Sequence, residues 1–205
     1  MKLKALGTLC KQRGTFMLYD QVGAGGEICG QWLGTHGAVY QLMNLPLLTE
    51  ENIAPLFDLT DKQRGASTIK QAPLPDNINF NDTEEGETLL DREKLTLSYG
   101  GCCIRPYITR GGLEFVDTDY FAPLADVAGT LEIYERHTAT GGTYFVAKNG
   151  LMVVAVIMPL SIIEEGFVHY LNMLADKCSE ALAINQQQER AKADNDDEQH
   201  EQTTL

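Results

Sequence analysis

The sequence predicts an α+β protein: mostly antiparallel sheet in two small lobes, helices packed on one side, and a disordered acidic C-terminal tail. Three observations carry this. Short runs rich in β-branched and aromatic residues recur with turn residues between them, as in Thr15–Tyr19, Glu27–Leu33 and Ala38–Met43. Between residues 61 and 94 the pattern breaks into a polar, proline-containing and acidic stretch. After Asn185 the chain reads QQQERAKADNDDEQHEQTTL, which offers almost nothing to bury.

Residues 1–60 read as a β-meander followed by a short helix. Leu3–Cys10 and Thr15–Tyr19 are strand-like, separated by the polar turn Lys11-Gln12-Arg13-Gly14. Glu27–Leu33 and Ala38–Met43 follow, with Thr35-His36-Gly37 as a hairpin turn. Thr49 can cap a helix whose first turn carries Glu50 and Glu51, favourable against the helix dipole, and Pro55 keeps it short or bent. Residues 61–94 read as a linker between lobes or a long surface excursion.

Residues 95–185 form the second expected lobe. Leu95–Tyr99 and Cys102–Thr109 are strands around Gly100-Gly101, with Pro106 suggesting an edge strand or an irregular end. Asp117–Asp126 reads as a short helix, and Leu131–His137 alternates as a strand. Thr143–Lys148 and Leu151–Met158 are then joined by Asn149-Gly150, the strongest short hairpin signal in the chain. Leu151–Met158 is apolar on both alternating faces, so both must be covered. The cover expected for the second face is a helix capped by Ser161 with Glu164, presenting Ile163, Phe167, Leu171, Leu174, Cys178, Ala181 and Leu182 at helical spacing. Residues 186–205 are the disordered tail.

Composition narrows function. The 205 residues carry 16 basic and 29 acidic side chains, net −13. That balance disfavours broad contact with phosphate backbones, which needs a basic stripe. No apolar run is long enough to span a bilayer, and the N-terminus lacks a signal-peptide core. The cysteines, Cys10, Cys29, Cys102, Cys103 and Cys178, are odd in number, scattered and without CxxC spacing. The expectation is a protein of the reducing cytoplasm with no cofactor.

No catalytic motif is present: no P-loop, GxGxxG, HExxH or GxSxG. Gly23-Ala24-Gly25-Gly26 lacks a following helix and reads as a flexible loop. His36, His137, His169 and His200 have no ligand spacing, so no metal site is assigned. Glu50-Glu51 and Glu164-Glu165 sit at expected helix starts, where acids are favourable for electrostatic reasons. Arg105 and Arg110 bracket Tyr107 and could grip a phosphate or base, or simply face solvent. Trp32 reads as a core anchor or, alternatively, a partner-binding hot spot. No residue is assigned a catalytic, cofactor-binding or metal role. Two internal echoes stand out. Ile53–Leu59 repeats in Phe121–Val127, and the frame from Gly37 to Pro46-Leu47 repeats from Gly150 to Pro159-Leu160.

The stretch TFMLYDQ…GQWLGTHGAVYQLMNLPLLTEENIAPLFDL, residues 15–60, resembles uncharacterised proteins encoded in prophages and conjugative elements of Gram-positive gut bacteria. The order of residues 117–160, a short helix then three strands ending in GLMVVAVIMPL, is similar to a bacterial sliding-clamp domain. The first resemblance implies a non-enzymatic accessory protein of a mobile element, acting by contact with another protein of that element. The second implies a clamp-like replication factor, the one case in which DNA contact is expected. A third expectation, from the enzyme class, is a hydrolase or nuclease whose site is assembled from scattered residues.

Overall fold

The structure is a computed structural model that describes residues 1–91 and 94–202, with side chains to residue 190. It is α+β, with one mixed eight-stranded sheet, a small antiparallel sheet of three strands, and helices. Two compact units are present, Met1–Leu160 and a second from Ser161 onward. Among the described residues no helix is long and apolar enough to cross a membrane.

The chain opens with helix α1, Leu3–Arg13, where a strand was expected. The overlooked signal is its spacing: Leu6, Leu9 and Cys10 lie three and four apart and are buried. The polar run after them is the last helical turn. Gly14, at φ 62°, donates its N–H to the carbonyls of Cys10 and Lys11 and closes the helix. Lys11 and Arg13 complement the dipole there. Gly7 permits close approach, since a Cβ there would overlap the Phe57 ring.

Strands β1 (Thr15–Val22), β2 (Ile28–Gly34) and β3 (Ala38–Leu42) form the expected meander. Helix α2, Glu50–Leu56, starts at Thr49, which forms a capping box with Asn52.

Residues 61–94 do not merely link. They include helix α3 (Asp61–Ala66), strand β4 (Thr68–Pro73) parallel to β1, a strap over residues 74–87, and strand β5 (Thr88–Leu90). The polar composition hid this, because β4 is a half-exposed edge strand and the strap buries few side chains.

The three-stranded sheet contains β6 (Leu97–Tyr99), β7 (Cys102–Thr109) and β8 (Gly112–Asp117) in that order. Strand β7 is therefore central, which overturns the edge-strand alternative for Pro106. Its pairing with β6 stops at Ile104, however, so Pro106 sits where β7 is bonded to β8 alone. A 3-10 helix, Thr118–Leu124, leads to β9 (Leu131–His137), β10 (Thr143–Asn149) and β11 (Met152–Ile157).

Strands expected in separate lobes join one sheet, in the order β4-β1-β2-β3-β11-β10-β9-β5. Strands β3 and β11 form the seam, with Val39 opposite Val156. The six central strands read alike from both ends. A helix and three antiparallel strands come from the first half, and a 3-10 helix and three antiparallel strands from the second. This agrees with the Gly37/Gly150 echo rather than the other.

Helices α1 and α2 and the 3-10 helix lie on one face. There Leu6, Leu9, Ile53, Phe57 and Leu124 pack with Phe16, Leu33, Tyr40, Phe145, Ala155 and Ile157, joined by Tyr107 and Val116 of the small sheet. The opposite face holds Trp32, Val39, Tyr144, Val146, Val153 and Val156, and Phe80 of the strap covers it, with Leu74 and Ile78 beside it. Strand β11 is thus covered on both sides, as its apolar run demands. The second cover is the strap; of the helix residues expected to supply it, Leu174 and Cys178 are exposed, Leu171 is half-buried and Phe167 is buried.

The β10–β11 turn is shifted by one residue from the Asn-Gly reading. Asn149 pairs with Met152, so the two turn residues are Gly150 and Leu151. Gly150 has φ 63°, and Leu151 is not among the positive-φ residues, the pattern of a II′ turn with glycine first.

The final helix, α4, spans Glu165–Gln202. It starts after the Ser161–Glu164 segment expected to cap it, and the Val168 N–H bonds the Glu164 carbonyl as its first turn. It continues through most of the region whose composition suggested disorder; residues 203–205 lie outside the described residues. From Asn172 to Arg190 every side chain is exposed, so the tail buries nothing up to that point.

Candidate interaction surface

The residues singled out by sequence fall into different environments. Trp32 is fully buried, edge-on to Phe80 with ring centroids 4.9 Å apart. It is a core anchor for the strap and not an exposed hot spot. The Gly23–Gly26 stretch closes the β1–β2 hairpin through Gly23 N–H to the Glu27 carbonyl at 2.8 Å. A strand follows it, so it presents no helix N-terminus to a phosphate. Glu50 accepts the Gln71 N–H at 2.6 Å and ties α2 to β4, while Glu51, Glu164 and Glu165 are exposed. Cys10 is buried, which pushes its thiol up to about 12 and makes it a poor nucleophile. His36 borders a small cavity beneath the strap with Tyr19 and Ile78. The described residues contain no His, Cys, Asp or Glu group able to hold a metal.

Arg105, Tyr107 and Arg110 do not form one grip. Tyr107 is buried against Phe145, at 5.5 Å between centroids. Arg105 lies over the Phe121 ring at 5.8 Å. The Arg110 backbone N–H points to the buried Glu135 carboxylate, at 3.0 and 3.2 Å from its two oxygens. His137 Nε2 lies 3.1 Å from Glu135 on its other side, and Thr143 Oγ1 is 3.5 Å from His137 Nδ1. Hydroxyl, imidazole and carboxylate follow the order of an activated nucleophile. The 3.5 Å contact is the longest of the set, and the carboxylate is committed to the Arg110 amide. The arrangement fastens the β7–β8 hairpin to β9.

A second polar cluster escaped sequence reading. Arg136 on β9 and Lys148 on β10 are buried cations. Arg136 donates to Glu87 at 2.9 and 2.6 Å and to the Asn79 and Asn81 carbonyls at 3.0 and 2.9 Å. Lys148 bonds the other Glu87 oxygen and sits over the Tyr134 ring at 4.3 Å. The Tyr144 hydroxyl reaches Glu84 at 3.1 Å, and Asp82 accepts the Val153 N–H at 2.8 Å. Burial opposes the Glu87 charge, but hydrogen bonds from Lys148 and Arg136 outweigh it and hold its pKa below the ordinary value. Glu84 and Glu87 of the acidic run are therefore counter-ions for the two buried cations. The available signal was two cations in otherwise apolar strands beside an acidic excess.

The remaining unexplained surface is α4. At 1.5 Å per residue its 38 residues extend about 57 Å. Leu171, Leu174, Cys178, Ala181 and Leu182 recur at three- and four-residue spacing. Leu174 is 45% and Leu182 58% exposed, with Tyr170, Met173 and Ile184 exposed alongside. Lys177 and Glu180 pair at 2.8 Å in solvent, which contributes little. Most helical stability comes from packing an apolar face, and this face is open. No protein-family model, curated protein or solved structure matches this chain.

Proposed function

We propose that this is a non-enzymatic accessory protein of a prophage or other mobile element, acting through protein–protein contact with α4 as the contact surface. The observation that carries the reading is the open apolar stripe of α4, from Leu171 to Leu182. A contiguous exposed apolar surface of this kind marks an interaction site. The polar clusters of the sheet support the same reading, because Glu87 and Glu135 are each taken up by fold contacts. The test is a photo-crosslinking residue placed at position 174 or 182 and, as control, at position 51, in cells carrying the element. One partner crosslinked from 174 and 182, and lost with Leu171→Glu, supports the reading. Equal labelling from position 51 sinks it.

A clamp-like replication factor is the second reading. What favours it is the repeated order of helix then three strands on either side of the β3–β11 seam. The basic residues Lys2, Lys4 and Lys11 in and beside α1 favour it too. A closed ring seen by sedimentation and electron microscopy, with salt-dependent DNA association lost on Lys4→Glu, would establish it. A species that neither closes nor binds DNA removes it.

A further inference from the structure

A cavity of about 160 Å³ opens between β5, β7, β9 and the 3-10 helix. Its walls are Leu89, Leu90, Leu124, Leu131 and Ile133, with Tyr107 beside them. Set into these apolar walls is Arg105. Its Nε is buried and has no hydrogen-bond partner among the described residues. The guanidinium rests on Phe121, a ring face that supplies attraction but no acceptor for an N–H. A buried guanidinium N–H left without an acceptor is costly, and its fork geometry matches a carboxylate. Asp91 also lines the cavity and is exposed, whereas the Glu132 carboxylate accepts the Tyr134 hydroxyl at 2.9 Å, on the face of β9 opposite Leu131 and Ile133. Asp91 opposes a dianion such as a phosphate ester and attracts an ammonium group. Cavities of roughly 150 Å³ accept molecules the size of benzene, so the ligand is small.

We propose that this cavity binds a small aliphatic α-amino acid. Arg105 takes its carboxylate, Asp91 attracts its ammonium group, and the leucine and isoleucine walls enclose its side chain. The site is formed within residues 89–133 and does not depend on the proposed protein contact. The test is isothermal titration of the full chain with leucine, 4-methylpentanoate and isopentylamine, each up to about 10 mM. Leucine should bind, and each analogue, lacking one charged group, should bind at least about tenfold more weakly. Arg105→Gln should leave the ligand-free Tm within a few degrees and weaken leucine at least about tenfold. Asp91→Asn, an exposed change, should weaken leucine without weakening 4-methylpentanoate, and it decides the matter if Arg105→Gln does not fold. The proposal is overturned if leucine does not bind the wild type, if 4-methylpentanoate binds as tightly as leucine, or if neither variant weakens leucine.

Discussion

At the residue scale the most consequential side chain is Glu87, because two buried cations depend on it. Glu87→Gln keeps the shape but leaves Arg136 and Lys148 short of a counter-ion. Breaking a buried pair from one side should cost about 3 kcal/mol, measured by urea unfolding. The folded-state pKa of Glu87 lies below its unfolded value. Its stabilisation is therefore complete above the unfolded value of about 4.5 and is lost as pH falls through the folded one. Urea midpoints measured from pH 6 down to pH 3 should fall less steeply for Glu87→Gln than for wild type; equal slopes would show that Glu87 is not the group responsible. Gly150 is the second such position. Its φ of 63° is strained for any β-branched residue, so Gly150→Val should cost about 1–3 kcal/mol. Leu151→Val, at the neighbouring turn position where φ is not positive, should cost less. Equal losses would contradict a turn in which only the first residue is left-handed.

At the element scale, what the sequence made legible follows how much each element depends on its own residues. Strands β2, β3, β7 and β9 were readable because alternation and turn residues are local. Helix α1 was not, since Leu6, Leu9 and Cys10 also satisfy a short apolar run and the helix is only 11 residues long. The strap was illegible for a different reason: its order comes from Phe80 on Trp32 and from acids paired to distant cations. Likewise the cavity around Arg105 joins four elements, and no local pattern reports it. The strap gives a direct prediction. Phe80→Ala removes the ring that covers Trp32 and should cost about 3–5 kcal/mol. Trp32 is the one tryptophan, so its emission reports the site alone, and it should shift to longer wavelength in the folded variant. An unshifted spectrum with unchanged stability would show that the strap is not the cover. The end of α4 makes the opposite prediction. Side chains from Asn172 to Arg190 are exposed, so truncation after Asn185 should leave the Tm within a few degrees.

At the scale of the whole molecule, the sheet decides whether residues 1–160 behave as two lobes or one. The break at residues 61–94 suggested two, because composition changes there while hydrogen bonding across it cannot be seen in a sequence. The β3–β11 ladder runs through the middle of the sheet, with Tyr40, Val39 and Ala38 opposite Ala155, Val156 and Ile157. The strap ties the halves a second time, since Phe80 packs on Trp32 of β2 while Asn79 and Asn81 hold Arg136 of β9. Even the helical face crosses the seam, where the Tyr40 hydroxyl donates to the Tyr120 carbonyl at 2.6 Å. None of these contacts survives if one half opens alone, so residues 1–160 should unfold in a single cooperative transition. Trp32 fluorescence reports the first half, and amide exchange of Phe145, Val146 and Ala147 on β10 reports the second. Their urea midpoints should coincide. Val156→Asp, which buries an unpaired charge at the centre of the seam, should abolish folding of both halves together. Two separated midpoints, or a Val156→Asp variant that keeps a native Trp32 signal, would mean that the halves are independent lobes.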